Sequence, residues 1–451
     1  MRFAPIPKLG RLAGAAKSPT AAVVGTVALS NFVRIFSSAV LTRLLTAADY
    51  GVVGIITSLT YIIVMLSDFG FFAFVVRHKD ADDPRFLDEV WTIRLIRGAA
   101  LTVILIALAY PYALYTGKSV LAPAIAVWAL NQLLEGFTSM AFAQAVRRGM
   151  VARLSWMEFG INIVQVAIAI PLAVILHNYW SIVIAGLASS VVKIFASYRF
   201  FPHSRRQLAF DIQRSAEMWR FSRFIAGSSF LTLLLGQSDK LVLSRILPLA
   251  LFGIYSIATL LALAPRAIVY PYCNRILYPA YSHHFREAGL AGFARCYYGT
   301  RRLVSLLYAF ALGGLIGCAP LVIAILYDDR YAGVAPLLRI VAISAGLLLN
   351  NVAAEQAMIA VGRVKAPFQI NLIRCAWLGG MGTIGLIVEG PMGIVWAVGT
   401  MEVAATLFAW FLLFRIGALR IGEELFALAC LGAGALVGVV AGSAILSLGI
   451  L

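Results

Sequence analysis

A few ionisable side chains sit inside long apolar runs, and their types limit the chemistry open to this sequence. Arg34, Arg266 and Arg374 are the deep cations, and Asp68, Glu135 and Glu355 are the deep acids. A charged group inside a hydrophobic span is costly and faces a partner or a water-filled cavity. Helical spacing gives each one polar company on the same face. Asn31 and Ser38 align with Arg34, Thr57 and Tyr61 with Asp68, and Asn131 and Thr138 with Glu135. Tyr255 and Thr259 align with Arg266, Ser344 and Asn351 with Glu355, and Asn371 with Arg374; Glu402 adds another acid in the following run.

A guanidinium holds phosphate oxygens through paired hydrogen bonds. Arg34, Arg266 and Arg374 therefore read as anion-holding groups, with Asn31 and Asn351 as their polar neighbours and Lys240 as a second acceptor station. A carboxylate at such depth requires a counter-ion, so Asp68, Glu135 and Glu355 are candidates for coupling to H+ or Na+. The alternative for each acid is a structural ion pair, such as Asp68 with Arg34. Arg266 and Arg374 lie near enough to their span ends to snorkel, and Asp239 beside Lys240 is expected to pair near a surface. Glu158 and Lys193 read as interfacial.

Other chemistries find no support. The five His residues have no metal-ligand spacing, the five Cys residues form no CxxC pair, and no GxxxxGK[ST] phosphate loop occurs. No catalytic residue, metal ligand or cofactor is expected, apart from a coupling H+ or Na+.

Spanning helices must position these side chains. Of 451 residues, 61% are hydrophobic and only 13% charged, which cannot cover a water-facing surface and excludes both a soluble enzyme and a disordered chain. Thirteen apolar runs are long enough to span: 21–42, 52–76, 97–116, 120–145, 157–176, 179–200, 222–245, 250–272, 303–327, 334–360, 366–387, 392–414 and 426–449. The last is rich in Gly and Ala and reads equally as a re-entrant hairpin. With a cytoplasmic N-terminus, 27 of the 37 Lys and Arg fall in inner segments and five in outer ones. That asymmetry sets the orientation and removes nucleic acid as a partner, because most of the +17 net charge is topological. The basic N-terminus followed by an apolar run reads as a signal anchor. Segments 83–97 and 208–221 read as interfacial helices.

Residues 41–52 (LTRLLTAADYGV) recur at an offset of 202 as residues 243–254 (LSRILPLALFGI). Leu41, Arg43, Leu45, Ala48 and Gly51 match Leu243, Arg245, Leu247, Ala250 and Gly253. Six runs separate the copies, so both halves have the same orientation and are related by an axis along the membrane normal. The rival explanation is a favoured tight turn.

These segments, with SDFGF (67–71), SDKLVLSRILPLALFGIY (238–255) and LYPAYS (277–282), resemble the polysaccharide-transport, Wzx-type family of lipid-linked oligosaccharide flippases. The superfamily also holds multidrug and toxic-compound extruders and the peptidoglycan-precursor flippase. The resemblance implies an all-α polytopic fold of two parallel six-helix bundles around a central cleft, 12 core helices plus a C-terminal extra one. The expected divisions are 1–200, a linker at 201–221, a second bundle at 222–415 and the extra segment 416–451.

It implies a non-enzymatic flippase in the bacterial inner membrane, moving polyprenyl-diphosphate-linked oligosaccharide units by alternating access for O-antigen, exopolysaccharide or capsule assembly. Its partners would be the lipid-linked oligosaccharide, membrane lipids, a polysaccharide polymerase and a chain-length regulator. The alternatives are a cation-coupled multidrug extruder and a membrane polysaccharide polymerase. The deep basic residues favour an anionic substrate over the first. The short outer connections count against the second.

Overall fold

A computed structural model of the chain describes residues 19–67, 83–200 and 233–447, with a few isolated positions between. All regular elements among the described residues are helical. Ten helical stretches among them are long and apolar enough to cross a membrane. The chain is therefore a multi-pass membrane protein, and its all-α class is the expected one. Its contacts divide it into two compact units, Met1–Ser38 with Ile63–Ser228, and Ala39–Ile62 with Ser229–Leu451.

Helix α1 (Pro19–Leu44) begins in the first unit, and α2 (Ala47–Leu66) ends in it. Helix α3 (Pro84–Thr116) shows how local sequence sets the ends. The Asp83 side chain accepts from the Arg85 N–H, Pro84 stands where no N–H is needed, and Gly117 closes the helix at φ 71°. Its 33 residues reach about 50 Å, well beyond a hydrocarbon core of about 30 Å. The expected interfacial helix at 83–97 is thus the first part of one continuous helix, and its Phe86, Leu87, Val90 and Trp91 are buried against Met140 and Ala143.

The run 120–145 is not one helix. It breaks into α4 (Leu121–Gly136) and α5 (Ala141–Arg147) across residues 137–140, next to the place where Gly136 packs against the α3 backbone at Leu95. Helices α6 (Val151–Leu176) and α7 (Trp180–Phe200) complete the described part of this unit. The expected interfacial helix at 208–221 lies outside the described residues, as does most of SDFGF.

The second unit contains a helix over 233–246 (α8), α9 (Leu249–Leu263) and α10 (Arg266–Tyr272). A π-turn at Cys273–Leu277 leads into α11 (Tyr278–Gly317), followed by α12 (Ala319–Leu326). Helices α13 (Val334–Ala360), α14 (Ala366–Glu389), α15 (Pro391–Arg415) and α16 (Ile421–Ser447) follow. The 273–302 stretch between two of the apolar runs is helical throughout except for a kink at Ala288 and Gly289. Gly289 has φ 60° and ψ −154°, a conformation open to glycine alone.

The C-terminal run is a single 27-residue helix rather than a re-entrant hairpin. It packs on α11 through small residues at four-residue spacing, Gly434 and Gly438 against the backbone at Phe310 and Gly314, and Gly313 and Gly317 against Leu431 and Ala435. Such stripes let two spanning helices approach closely. Arg301, counted above as an inner topological charge, is buried instead. It pairs with Glu424 of α16, donates to Asn350 at 2.9 Å and lies 4.2 Å from the Tyr297 ring centroid.

Candidate functional site

The second unit carries a buried polar cluster built from three helices. Asn351 and Glu355 lie four apart on α13, Asn371 and Arg374 three apart on α14, and Glu402 and Thr406 four apart on α15, so each pair shares a helix face. The faces converge on Arg374. One of its terminal nitrogens donates to Glu355 at 2.6 Å and to Asn371 at 2.7 Å, and the other donates to Glu402 at 2.8 Å. Asn351 donates to the Glu402 carboxylate at 2.6 Å and accepts from Thr406 at 2.9 Å. Ser344 caps the same region by donating to the Val398 carbonyl at 2.7 Å.

Arg374 is 5% exposed, Glu402 5%, Glu355 9% and Asn351 1%, so these bonds form with little water to weaken them. Two carboxylates share one guanidinium in this cluster.

The three expected anion-holding arginines are thus in different situations. Arg374 is clasped on both sides. Arg34 is exposed on α1, bonded only to Asn31 at 2.9 Å, with no carboxylate partner among the described residues. Arg266 donates to the Tyr270 hydroxyl at 3.3 Å and lies over that ring at 5.5 Å, also without a carboxylate partner among the described residues. Asn31 stays with Arg34, whereas Asn351 is committed inside the cluster.

Among the acids, Glu355 joins the cluster and Asp68 lies outside the described residues. Glu135 belongs to a separate, partly exposed group in the first unit, where Lys193 of α7 reaches it at 2.7 Å and Arg94 of α3 at 3.5 Å. Asn131, one turn before Glu135, accepts from Ser190 at 2.6 Å. Lys193, expected to be interfacial, is paired with Glu135 within this unit. Asp239 accepts from the buried Tyr255 hydroxyl rather than pairing with Lys240.

Thr406 and Lys193 carry a signal of their own in the sequence. Thr406 follows Glu402 by one turn, and Lys193 follows Ser190 at three-residue spacing, opposite the Asn131 and Glu135 pair.

A cavity of about 300 Å³ opens between α8 and α14, walled by Leu234, Val242, Leu378 and Leu386 with Ser238 and Asp239 at its polar side. Among the described residues no group of three His, Cys, Asp or Glu is placed to hold a metal ion.

Comparison with solved structures shows the fold. Lipid II flippase MurJ in an inward closed conformation matches with a TM-score of 0.73 at 13% identity, covering 91% of this chain and 90% of that one. An inward-facing multidrug resistance MATE family transporter of the MOP superfamily matches with a TM-score of 0.66 at 13% identity, covering 88% and 98%.

Sequence relatives are more informative about role. The succinoglycan biosynthesis transport protein ExoT of Rhizobium meliloti is 23% identical over 375 residues, 82% of this chain and 74% of that protein. The lipopolysaccharide biosynthesis protein WzxC of Escherichia coli is 20% identical over 382 residues, 83% and 76%. Residues 40–336 match the profile of the family described as polysaccharide biosynthesis protein, and this chain belongs to that family.

Proposed function

We propose that this chain is a flippase that moves polyprenyl-diphosphate-linked oligosaccharide units across the bacterial inner membrane by alternating access, for assembly of a cell-surface polysaccharide. The observation that carries the reading is its family membership, with relatives named for polysaccharide transport and biosynthesis aligned over four fifths of the chain. The N-terminus is cytoplasmic, as the charge asymmetry implies. The unit moved then passes to a polymerase and a chain-length regulator, and the chain itself performs no covalent step.

The chemistry of the substrate fits the residues. A diphosphate needs cationic donors, and among the described residues neither Arg34 nor Arg266 has a carboxylate partner. A polyprenyl tail needs an apolar surface, and Leu234, Val242, Leu378 and Leu386 between α8 and α14 present one. The Arg374 cluster serves a different purpose. Its two carboxylates share a single guanidinium, so Glu355 and Glu402 are the candidates for coupling to H+ or Na+.

The test is deletion of the protein followed by analysis of lipid-linked intermediates. Accumulation on the cytoplasmic leaflet is the expected result. Unpolymerised units on the outer leaflet would instead indicate a polymerase and overturn the reading.

A further inference from the structure

Two prolines and a widened turn set apart a short piece of helix at the end of one apolar run. Helix α9 ends at Leu263, Pro265 interrupts the ladder, and α10 covers Arg266–Tyr272 with Pro271 inside it. Each proline lacks the N–H that would bond one turn back. The chain then passes through the π-turn Cys273–Leu277 into α11. Broken helices of this kind are tolerated in a spanning segment where the backbone is buried in protein or lines a water-filled cavity, and π-turns are frequent at functional sites. Arg266 and Tyr270 lie four residues apart on this piece and share a face.

The tyrosines around α10 use their hydroxyls in different ways. Tyr272 donates to the Thr300 carbonyl of α11 at 3.5 Å, and Tyr308 donates to the Ala345 carbonyl of α13 at 2.7 Å. Both protons end on the backbone of a packed helix. Tyr270 does the reverse. Its hydroxyl oxygen accepts from Arg266 at 3.3 Å, and its own proton has no acceptor among the described residues. Its ring packs against the buried cluster that includes Val269, Leu348 and Leu349, and the Arg266 guanidinium lies 5.5 Å from the ring centroid.

A hydroxyl that already accepts from a cation presents its proton rather than its lone pairs. The guanidinium polarises that proton and strengthens it as a donor. The same charge keeps other cations away from it. The remaining N–H groups of Arg266 also have no acceptor among the described residues. Both residues are half-buried, where a hydrogen bond to a charge is weakened less than in open water. An N–H and an O–H side by side suit two oxygens of one phosphate group.

We propose that Tyr270 is a substrate-contacting residue, its O–H and the Arg266 guanidinium together holding the diphosphate of the lipid-linked substrate. The proposal rests on the flippase reading and deepens it, by assigning half of an anion site to a neutral side chain. With the orientation implied by the charge asymmetry, α10 lies at the inner end of its span, level with the diphosphate of a substrate still in the cytoplasmic leaflet.

The test is binding of undecaprenyl diphosphate to the full-length chain purified in detergent, with undecaprenol as the phosphate-free reference. Tyr270→Phe keeps the ring and removes the hydroxyl. It should weaken undecaprenyl diphosphate binding about tenfold, or about 1.4 kcal/mol, and leave undecaprenol binding unchanged. Tyr272→Phe removes a hydroxyl two residues on, from the other side of the helix, and should change neither. In an Arg266→Ala background the loss from Tyr270→Phe should be smaller than in the wild type, because the two groups hold one phosphate.

Equal binding of undecaprenyl diphosphate by the wild type and Tyr270→Phe would overturn the assignment. Equal losses in Tyr270→Phe and Tyr272→Phe would overturn it too, by marking a loss of packing. Phosphatidylglycerol added as a competitor separates the substrate from ordinary lipid. If it displaces undecaprenyl diphosphate from the wild type at equal concentration, the pair holds a phospholipid headgroup and the proposal falls. A wild type that binds undecaprenyl diphosphate no better than undecaprenol overturns the flippase reading itself, so the two failures are told apart.

Discussion

Arg374 and Arg34 are the same residue in similar apolar runs, and they have opposite surroundings. Arg374 is buried between two carboxylates and an amide drawn from three helices. Arg34 is exposed on its helix, bonded to one amide on its own chain turn. The first holds the second unit together. The second, among the described residues, has donors left over for something that is not protein. Depth in an apolar run therefore does not by itself identify a substrate group; the number of partners already engaged does.

The largest effect should follow Arg374→Ala. It leaves Glu355 and Glu402 buried without their cation, and breaking a buried pair in this way costs about 3–5 kcal/mol. Thermal unfolding of the detergent-solubilised protein should show strong destabilisation, with export lost in proportion. Wild-type stability in this variant would erase the contrast between the two arginines.

Arg34→Ala should do the reverse. An exposed site with one bond contributes within about 0.5 kcal/mol to stability. Loss of a charge-assisted contact to the substrate is worth about 1.5–3 kcal/mol, so export should collapse while the protein remains in the membrane at normal abundance. Arg34→Lys sharpens the point. It keeps the charge and loses the planar fork, so export should fall between that of the wild type and that of the alanine variant, read as surface polysaccharide per folded protein.

The smallest effect should come from Glu135→Gln. Its ion pairs with Lys193 and Arg94 are partly exposed, and such pairs contribute at most about 1 kcal/mol. A small shift in unfolding temperature with export retained is expected. Loss of export would move Glu135 from the structural to the functional side of the comparison.

Much of this architecture was legible in the sequence. The runs at 334–360, 366–387 and 392–414 lie within two or three residues of α13, α14 and α15, because Gly and Pro punctuate their ends. The 202-residue repeat was legible too, and Gly51 and Gly253 each lie against the backbone of the other copy, at Leu249 and Ala47. What escaped depended on partners distant in sequence. Arg301 reads as a solvated loop charge until Glu424, 123 residues later, is brought against it. Arg374 reads as a free phosphate holder until Glu355 and Glu402 arrive from neighbouring helices.

One measurement bears most directly on the division of labour between the two arginines. It is the leaflet-resolved amount of lipid-linked intermediate per folded protein, in a deletion strain complemented with wild type, Arg34→Ala or Arg374→Ala. Arg34→Ala should show wild-type amounts of folded protein with intermediates held on the cytoplasmic leaflet, whereas Arg374→Ala should show little folded protein. Intermediates and surface polysaccharide at wild-type levels with Arg34→Ala would contradict the assignment of that guanidinium to the substrate.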